Sequence, residues 1–409
     1  MMATGSDRIF SLDVIRGVAV MGIFSVNIIA FAMIEGAYFN PAVYGGHTGA
    51  DLYTWLVNFL LVDNRMRSLF SMLFGASMLL VVSRAEAGER SGAAIHYRRM
   101  LVLLIIGVIH HFFIWFGDIL ALYAMCGFII YWMRGWSPRK LIIGGIIATI
   151  VGLLLFGPFV MSGYAMDAAA HAPGASQAAI DEWNNNFGEF SPSAKVIADD
   201  LALHRGSWWD ISSAKLAGWP GFIAFNVLFM PETLGLMMFG MAGYKSGFLT
   251  GEWSDAAYKR FALITIPLGL IAFGIAAWWD IASDFHPVTV FANLTTTTIP
   301  LRIPMAAGYA ALIILLTRKH GWLSQRIAAA GRAAFTNYLG TSLIATFIFY
   351  GWGLGYFGYA SRWQAWLLVP VVWAIMLLWS KPWLERYRYG PLEWLWRSLS
   401  RGEWQPMRR

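Results

Sequence analysis

LDVIRGVAVMGIFSVNIIAFAM, residues 12–33, is long and apolar enough to cross a bilayer, yet it carries Asp13 and Arg16 near its start and Asn27 further along. About 20 mostly apolar residues span a hydrocarbon core of roughly 30 Å. A secretory signal peptide has a shorter apolar stretch closed by a small-residue cleavage site. The run, preceded by a single arginine, Arg8, therefore reads as an uncleaved first span. Composition points the same way: of 409 residues, 58% are hydrophobic and 13% charged, against about 25% charged in soluble domains. Mean hydropathy is +0.56. The expected fold is all-α, a polytopic membrane helix bundle of about ten transmembrane helices forming a single domain, 1–409.

The ten apolar segments are 12–34, 66–83, 100–116, 119–133, 141–165, 221–248, 261–281, 301–317, 334–356 and 364–380. Residues 51–63 are too short to cross alone and read as an interfacial or re-entrant helix leading into the second span. With the N-terminus inside, the interior segments hold 23 of the 30 Lys and Arg; the others are Arg65, Arg67, Lys195, Arg205, Lys215, Arg302 and Arg362. This bias places both termini in the cytoplasm. It also accounts for most of the +7 net charge, so no nucleic-acid partner is implied. Residues 166–220 form one long extracytoplasmic loop, either a lid or a plain surface excursion. Residues 381–409 alternate tryptophan with arginine, as an interfacial cytoplasmic tail does.

Ionisable groups inside spans are costly and mark candidate sites. Asp13 and Arg16, three apart on one helix face, read as an ion pair or as neighbours of a cytosolic anion. Towards the outer half the sequence collects Asn27, Arg65, Arg67, His110, His111, Asp118, Glu232 beside Pro231, and Arg302, while Thr336, Asn337 and Tyr338 fall near the inner end of the ninth span. A histidine accompanied by carboxylates and arginines suits a reaction or transport site better than plain packing. The single cysteine, Cys126, excludes an internal disulfide. No phosphate-cradling loop, zinc-ligand spacing or nucleophile elbow is present. Adjacent His110 and His111 point about 100° apart on a helix, so they cannot share one haem. No metal and no tightly bound cofactor is expected.

The segments MRSLFSMLFGAS (66–77), GVIHHFFIWFGDILALYA (107–124), MPETLGLMMFGMAGYKSGFL (230–249), GRAAFTNYL (331–339) and YGPLEWLWRSL (389–399) resemble the YeiB-like family of bacterial membrane proteins, defined by a C-terminal domain of unknown function. The opening SLDVIRGVAVMGIFSVNI (11–28) is in addition similar to the first span of heparan-alpha-glucosaminide N-acetyltransferase. The resemblance implies a transmembrane acyltransferase of the bacterial cytoplasmic membrane. It would take an acyl group from cytosolic acyl-CoA, acetyl-CoA above all, and pass it to an acceptor outside. Asn27 matches an asparagine implicated in the heparan enzyme. The histidine shortly after that asparagine has no counterpart, since His47 lies too far along, and the family pattern around GVIHHFFIWFGD puts His110 in its place.

A histidine within reach of an acceptor hydroxyl or amine can act as general base. Asp118 or Glu232 could orient it, and Asn27 or an arginine could hold the thioester oxyanion. Candidate catalytic residues are thus His110, Asp118, Asn27 and Glu232; candidate substrate-binding residues are Arg65, Arg67, Arg302, Trp115, Asn337, Asp13 and Arg16. Helical spacing alone would pair His111 with Trp115 and Asp118, whereas the family pattern favours His110. Expected partners are membrane lipids, acyl-CoA and an envelope glycan, lipid or small-molecule acceptor, with a homodimer open. The competing reading is a proton-coupled transporter using the same cluster, although paired interrupted helices, the mark of many transporters, are not evident in the sequence. A sensor or scaffold whose buried charges only pair with each other is a third.

Overall fold

The computed structural model describes residues 9–409; Arg8 lies outside them. The first half comprises α1 (Phe10–Ala32), α2 (Glu35–Phe39), α3 (Gly49–Leu61), α4 (Arg65–Ala87), α5 (Gly92–Phe113), α6 (Leu120–Ile130, prolonged by a tight turn over Tyr131–Met133) and α7 (Pro138–Ala170). Next come α8 (Gln177–Phe187), α9 (Ala194–His204), α10 (Trp208–Ala217), α11 (Trp219–Lys245), α12 (Asp255–Ala282) and α13 (Pro287–Ala292). A wide π turn, Asn293–Thr297, leads to α14 (Ile299–Thr317), followed by α15 (Trp322–Arg332), α16 (Ala334–Phe349), α17 (Arg362–Trp366), α18 (Leu368–Arg386) and α19 (Pro391–Arg401). Among the described residues, eight stretches are long and apolar enough to cross a membrane, with Gly49–Ala87 counted as one, and the shorter apolar α6 and α16 complete ten.

Lys- and Arg-rich connections meet at one end of the bundle. There Lys245 Nζ donates to the carbonyls of Arg134 and Trp136 at 2.6 and 2.7 Å, and Arg318 pairs with Asp255 at 2.6 Å. The opposite end is closed by α2, α8–α10, α13 and the 350–361 segment. Asn40 Nδ2 donates to the carbonyls of both Phe190 and Phe285 at 2.9 Å, and Gly351 N donates to the His204 carbonyl at 2.8 Å. The 166–220 segment, read from the sequence as a loop, is thus mostly helical. Serines at 176, 193 and 207 accept bonds from the opening turns of its three helices, as N-cap residues do.

Three connections differ from the sequence reading. Residues 318–332, expected as an interior loop, contain α15, whose small residues let it pack directly on α1. A Cβ on Gly331 would sit 1.9 Å from the Asp13 carbonyl oxygen, and one on Gly17 would sit 2.1 Å from that of Ile327. The ninth span ends at Phe349 rather than 356, and the last continues through Pro382 to Arg386. The tail therefore starts later, and its helix α19 folds back on the bundle: Trp396 Nε1 donates to the Arg99 carbonyl at 3.1 Å.

Several helices are interrupted within the bundle: α3 from α4 at 62–64, where Asn64 has φ +56°, α5 from α6 at 114–119, and α13 from α14 at the π turn. Non-helical backbone at membrane depth survives only where protein or a water-filled cavity covers it. Elsewhere in the bundle helices approach closely. A Cβ on Gly75 would lie 2.2 Å from the Met237 carbonyl oxygen, and one on Gly240 would lie 1.8 Å from that of Met72, so α4 and α11 touch backbone to backbone, as small residues allow in membranes. Replacing Gly240 by Ala must separate these helices. A stability loss of about 1–3 kcal/mol is expected, read as a lower unfolding midpoint in detergent, whereas Gly274→Ala, in open space, leaves it near wild type.

Candidate functional site

Helix α5 ends at Phe113, so no helical stripe carries His111 on to Asp118. The chain instead turns through Ile114–Ile119, and His110 Nδ1 meets Asp118 Oδ1 at 2.9 Å. Asp118 Oδ2 accepts from Ala121 N at 2.8 Å, capping α6. The sequence placed Asp118 at the outer turn between the third and fourth spans. It is buried, because α6 is short and its preceding turn sinks into the bundle. Tyr338, only the fifth residue of α16, donates to the Gly117 carbonyl at 3.2 Å. Its ring lies 5.4 Å from the His110 ring, and Trp115, which stands between Phe31 and His110, lies 6.2 Å away. His110 is 1% exposed. With Nδ1–H given to the carboxylate, its Nε2 is an acceptor, and it has no hydrogen-bond partner among the described residues.

Glu232, on α11, lies between two guanidinium groups. Arg67 of α4 reaches Oε2 at 2.7 Å, and Arg302 of α14 bonds to Oε1. The sequence had the arginines opening their spans from outside. Because α3 and α13 occupy the outer part of those paths, Arg65 and Arg302 are fully buried. Arg65 lies 3.8 Å from the Phe273 ring centroid and donates to the Phe59 carbonyl. Beside the clamp, the Tyr123 hydroxyl of α6 pairs with Ser71 Oγ at 2.7 Å. Ser71 in turn donates to the Arg67 carbonyl at 2.9 Å.

A cavity of about 580 Å³ opens at the basic end, inside the roughly 300–1,000 Å³ range of small-molecule pockets. Seven arginines line it, among them Arg16, Arg84, Arg99, Arg397 and Arg401. Its deeper wall is apolar, made by Phe70, Phe74, Met78 and Leu103, and it stops at Ile119, Leu120, Tyr123 and Tyr338, against the turn that holds Asp118. Helix α19 forms one side. Its Glu393 accepts from Phe335 N at 2.7 Å and Thr336 N at 3.1 Å, securing the start of α16. Burial holds the Glu393 carboxyl above its ordinary range, opposed by the bonds from Thr336 and the α16 amides.

The expected site residues therefore divide. His110 and Asp118 touch, with Trp115 beside them, and Arg67, Glu232 and Arg302 form a separate clamp with Arg65 near it. Asp13 and Arg16 pair at 3.2 Å on the cavity wall, where Arg16 also donates to Ser77 at 2.8 Å. Asn27 is half-buried and makes no hydrogen bond among the described residues. Asn337 is fully engaged: Nδ2 donates to the Ala330 carbonyl at 3.0 Å and to Ser380 at 3.3 Å, and Oδ1 accepts from Trp379 at 2.9 Å. It ties α15, α16 and α18 together and does not face the cavity. His111 donates to the Phe116 carbonyl at 2.8 Å and packs 4.4 Å from Phe222. Sequence reasoning passed over Tyr123 and the α19 wall, and gave Tyr338 no role although it noted the residue. Arginines alternating with tryptophans in the tail were the available signal for α19.

Comparison with known proteins adds family but no activity. A model described as "Protein of unknown function (DUF418)" matches residues 243–403. The chain is 31% identical to "Uncharacterized protein YeiB" of Escherichia coli K12, covering 96% of each chain. It is 29% identical to "Uncharacterized protein YxaH" of Bacillus subtilis 168, covering 98% of this chain and 96% of that one.

Removing the carboxylate from the clamp leaves two buried guanidinium groups facing each other. Glu232→Gln is expected to cost about 3–5 kcal/mol, seen as a sharply lowered unfolding midpoint. Glu232→Asp, which keeps the charge, should lose less.

Proposed function

The chain belongs to the YeiB-like family, and we propose that it is an integral membrane acyltransferase carrying an acyl group from cytosolic acyl-CoA to an acceptor at the outer side of the bacterial cytoplasmic membrane. The observation that carries this reading is the basic-mouthed cavity ending against the turn that joins His110 to Asp118. The positive-inside rule assigns the arginine-rich mouth to the cytoplasm. There Arg16, Arg99, Arg397 and Arg401 would receive the phosphates of CoA, since guanidinium groups bind phosphate with several aligned donors. The apolar interior would take the pantetheine arm and thioester.

Asp118 fixes His110 with Nδ1 protonated, which leaves Nε2 to accept a proton, the division of labour of a histidine–aspartate pair. The acceptor's hydroxyl or amine would attack the thioester carbonyl as its proton passes to Nε2. The carbon–sulfur bond then breaks, and the imidazolium returns the proton to the departing CoA thiolate. Tyr338 stands between the cavity and the imidazole, so it would have to turn aside for the thioester to reach Nε2. A positioned base of this kind contributes about 10²–10⁴-fold.

A proton-coupled transporter is the second reading, and one observation favours it: helix breaks at 62–64 and at 293–297 bracket the Arg67–Glu232–Arg302 clamp, a pairing the sequence did not disclose. Interrupted helices at mid-membrane accompany substrate sites in transporters.

Purified protein incubated with acetyl-CoA and an envelope extract as acceptor source tests the enzyme reading. Acetyl-CoA should raise the unfolding midpoint, and CoA thiol should be released. His110→Ala should retain the binding shift and lose about 10²–10⁴-fold in release rate, while Arg99→Ala should raise KM with kcat nearly unchanged. Absence of binding at millimolar acyl-CoA, or thiol release indifferent to His110→Ala, would overturn the assignment.

A further inference from the structure

Away from the basic mouth lies a second, small cavity of about 60 Å³ bordered by α1, α3, α12 and the π turn. Two carboxylates line it, Asp63 and Asp280, together with Asn293 and the rings of Trp55 and Phe59. Asp280 is 1% exposed. It accepts one side-chain hydrogen bond, from Asn293 Nδ2 at 2.8 Å, and no cation pairs with it among the described residues. Asn293, also 1% exposed, spends its second donor on the Ala276 carbonyl at 3.1 Å. That orientation is required, because a carboxylate and an amide oxygen both accept and cannot bond to each other. Asn293 Oδ1 is therefore left buried without a partner.

The guanidinium groups nearby act on Asp63 rather than on Asp280. Arg65, held over Phe273 and by the Phe59 carbonyl, interacts electrostatically with Asp63. Arg362, which also borders the cavity, donates to the Ala37 carbonyl at 2.9 Å. The cavity thus presents acceptors, one of them an unpaired carboxylate, and a buried carboxylate without a counter-charge is costly. A group that brings both N–H donors and positive charge would satisfy the carboxylate and the Asn293 oxygen together. Among the described residues no three His, Cys, Asp or Glu side chains are placed to hold a metal ion. The rings of Trp55 and Phe59, stacked 4.9 Å apart, form the kind of wall that favours an organic cation.

We infer that this cavity binds a primary ammonium group, its N–H bonds directed at Asp280 and Asn293 Oδ1, with Asp63, whose charge Arg65 offsets in part, as a further acceptor. The volume, about twice the share of one water in the liquid, admits a headgroup and leaves the rest of the molecule outside. A free amine and the headgroup of an aminophospholipid carry the same chemistry. The site is independent of the acyl-transfer reading, since it shares no residue with the His110 pair or the arginine-lined cavity.

The test uses the full chain in phosphatidylcholine nanodiscs, with thermal unfolding followed as ethanolamine hydrochloride is added at constant ionic strength. Choline chloride, equally charged but without N–H donors, is the control. Ethanolamine should raise the midpoint saturably, with choline at least ~10-fold weaker. If nanodiscs containing phosphatidylethanolamine show the raised midpoint from the start and ethanolamine adds nothing, the same site is filled by lipid. Asp280→Asn should abolish the response to either source, and His110→Ala should keep it, which separates this site from the proposed reaction. Should Asp280→Asn fail to fold, Asp63→Asn is read instead, with an expected ~10-fold weakening. A response to neither source, equal responses to choline and ethanolamine, or a response unchanged in the folded variant would overturn the inference.

Discussion

The bundle depends on one buried carboxylate. Glu232 is the shared counter-charge for Arg67 and Arg302, and through them it joins α11 to α4 and α14. In a low-dielectric interior an unpaired guanidinium is far more costly than a well-bonded pair, so these three helices are constrained to meet at one depth. The sequence does not bring the arginines there by uninterrupted helices. The break at 62–64 and the π turn at 293–297 allow α4 and α14 to begin inside the protein, so their first residues are core rather than rim. Glycines at 75 and 240 then let α4 and α11 close on one another.

The same economy shapes the histidine pair. An α5–α6 hairpin with a surface turn would have left His110 and Asp118 in different environments. Ending α5 at Phe113 and sinking the 114–119 turn brings an acid and a base into contact, and Asp118 also satisfies an α6 amide that would otherwise be buried without a partner. Tyr338 and Trp115 enclose the pair. The ring of Tyr338 separates the imidazole from the arginine-lined cavity, and its hydroxyl holds the turn through the Gly117 carbonyl.

Helix α19 shows how a surface-looking segment becomes a wall. Its tryptophans and arginines suit a membrane interface, yet Trp396 donates to the Arg99 carbonyl of α5, and Glu393 secures the first turn of α16. The tail thereby gives the cavity one side and adds Arg397 and Arg401 to its mouth. The charge that marks this end in the sequence as a topological signal is, in three dimensions, concentrated around an opening.

Hydropathy fixed ten apolar segments near the places where the helices stand, and the distribution of Lys and Arg sorted the connections to two ends, because helix length and positive charge act locally along the chain. The sequence also marked His110, Asp118, Glu232, Arg67 and Arg302 as anomalous, since a charge in an apolar run is visible without any knowledge of its partner. The partners were another matter. That Glu232 serves two arginines 165 and 70 residues away, that Asn337 is spent on Ser380 and Trp379, that Asp280 meets no paired cation among the described residues, and that α15 and α19 are packed helices were decided by tertiary structure. Each depends on where a helix breaks and how closely two backbones approach, and neither quantity is carried by the hydropathy of a single segment.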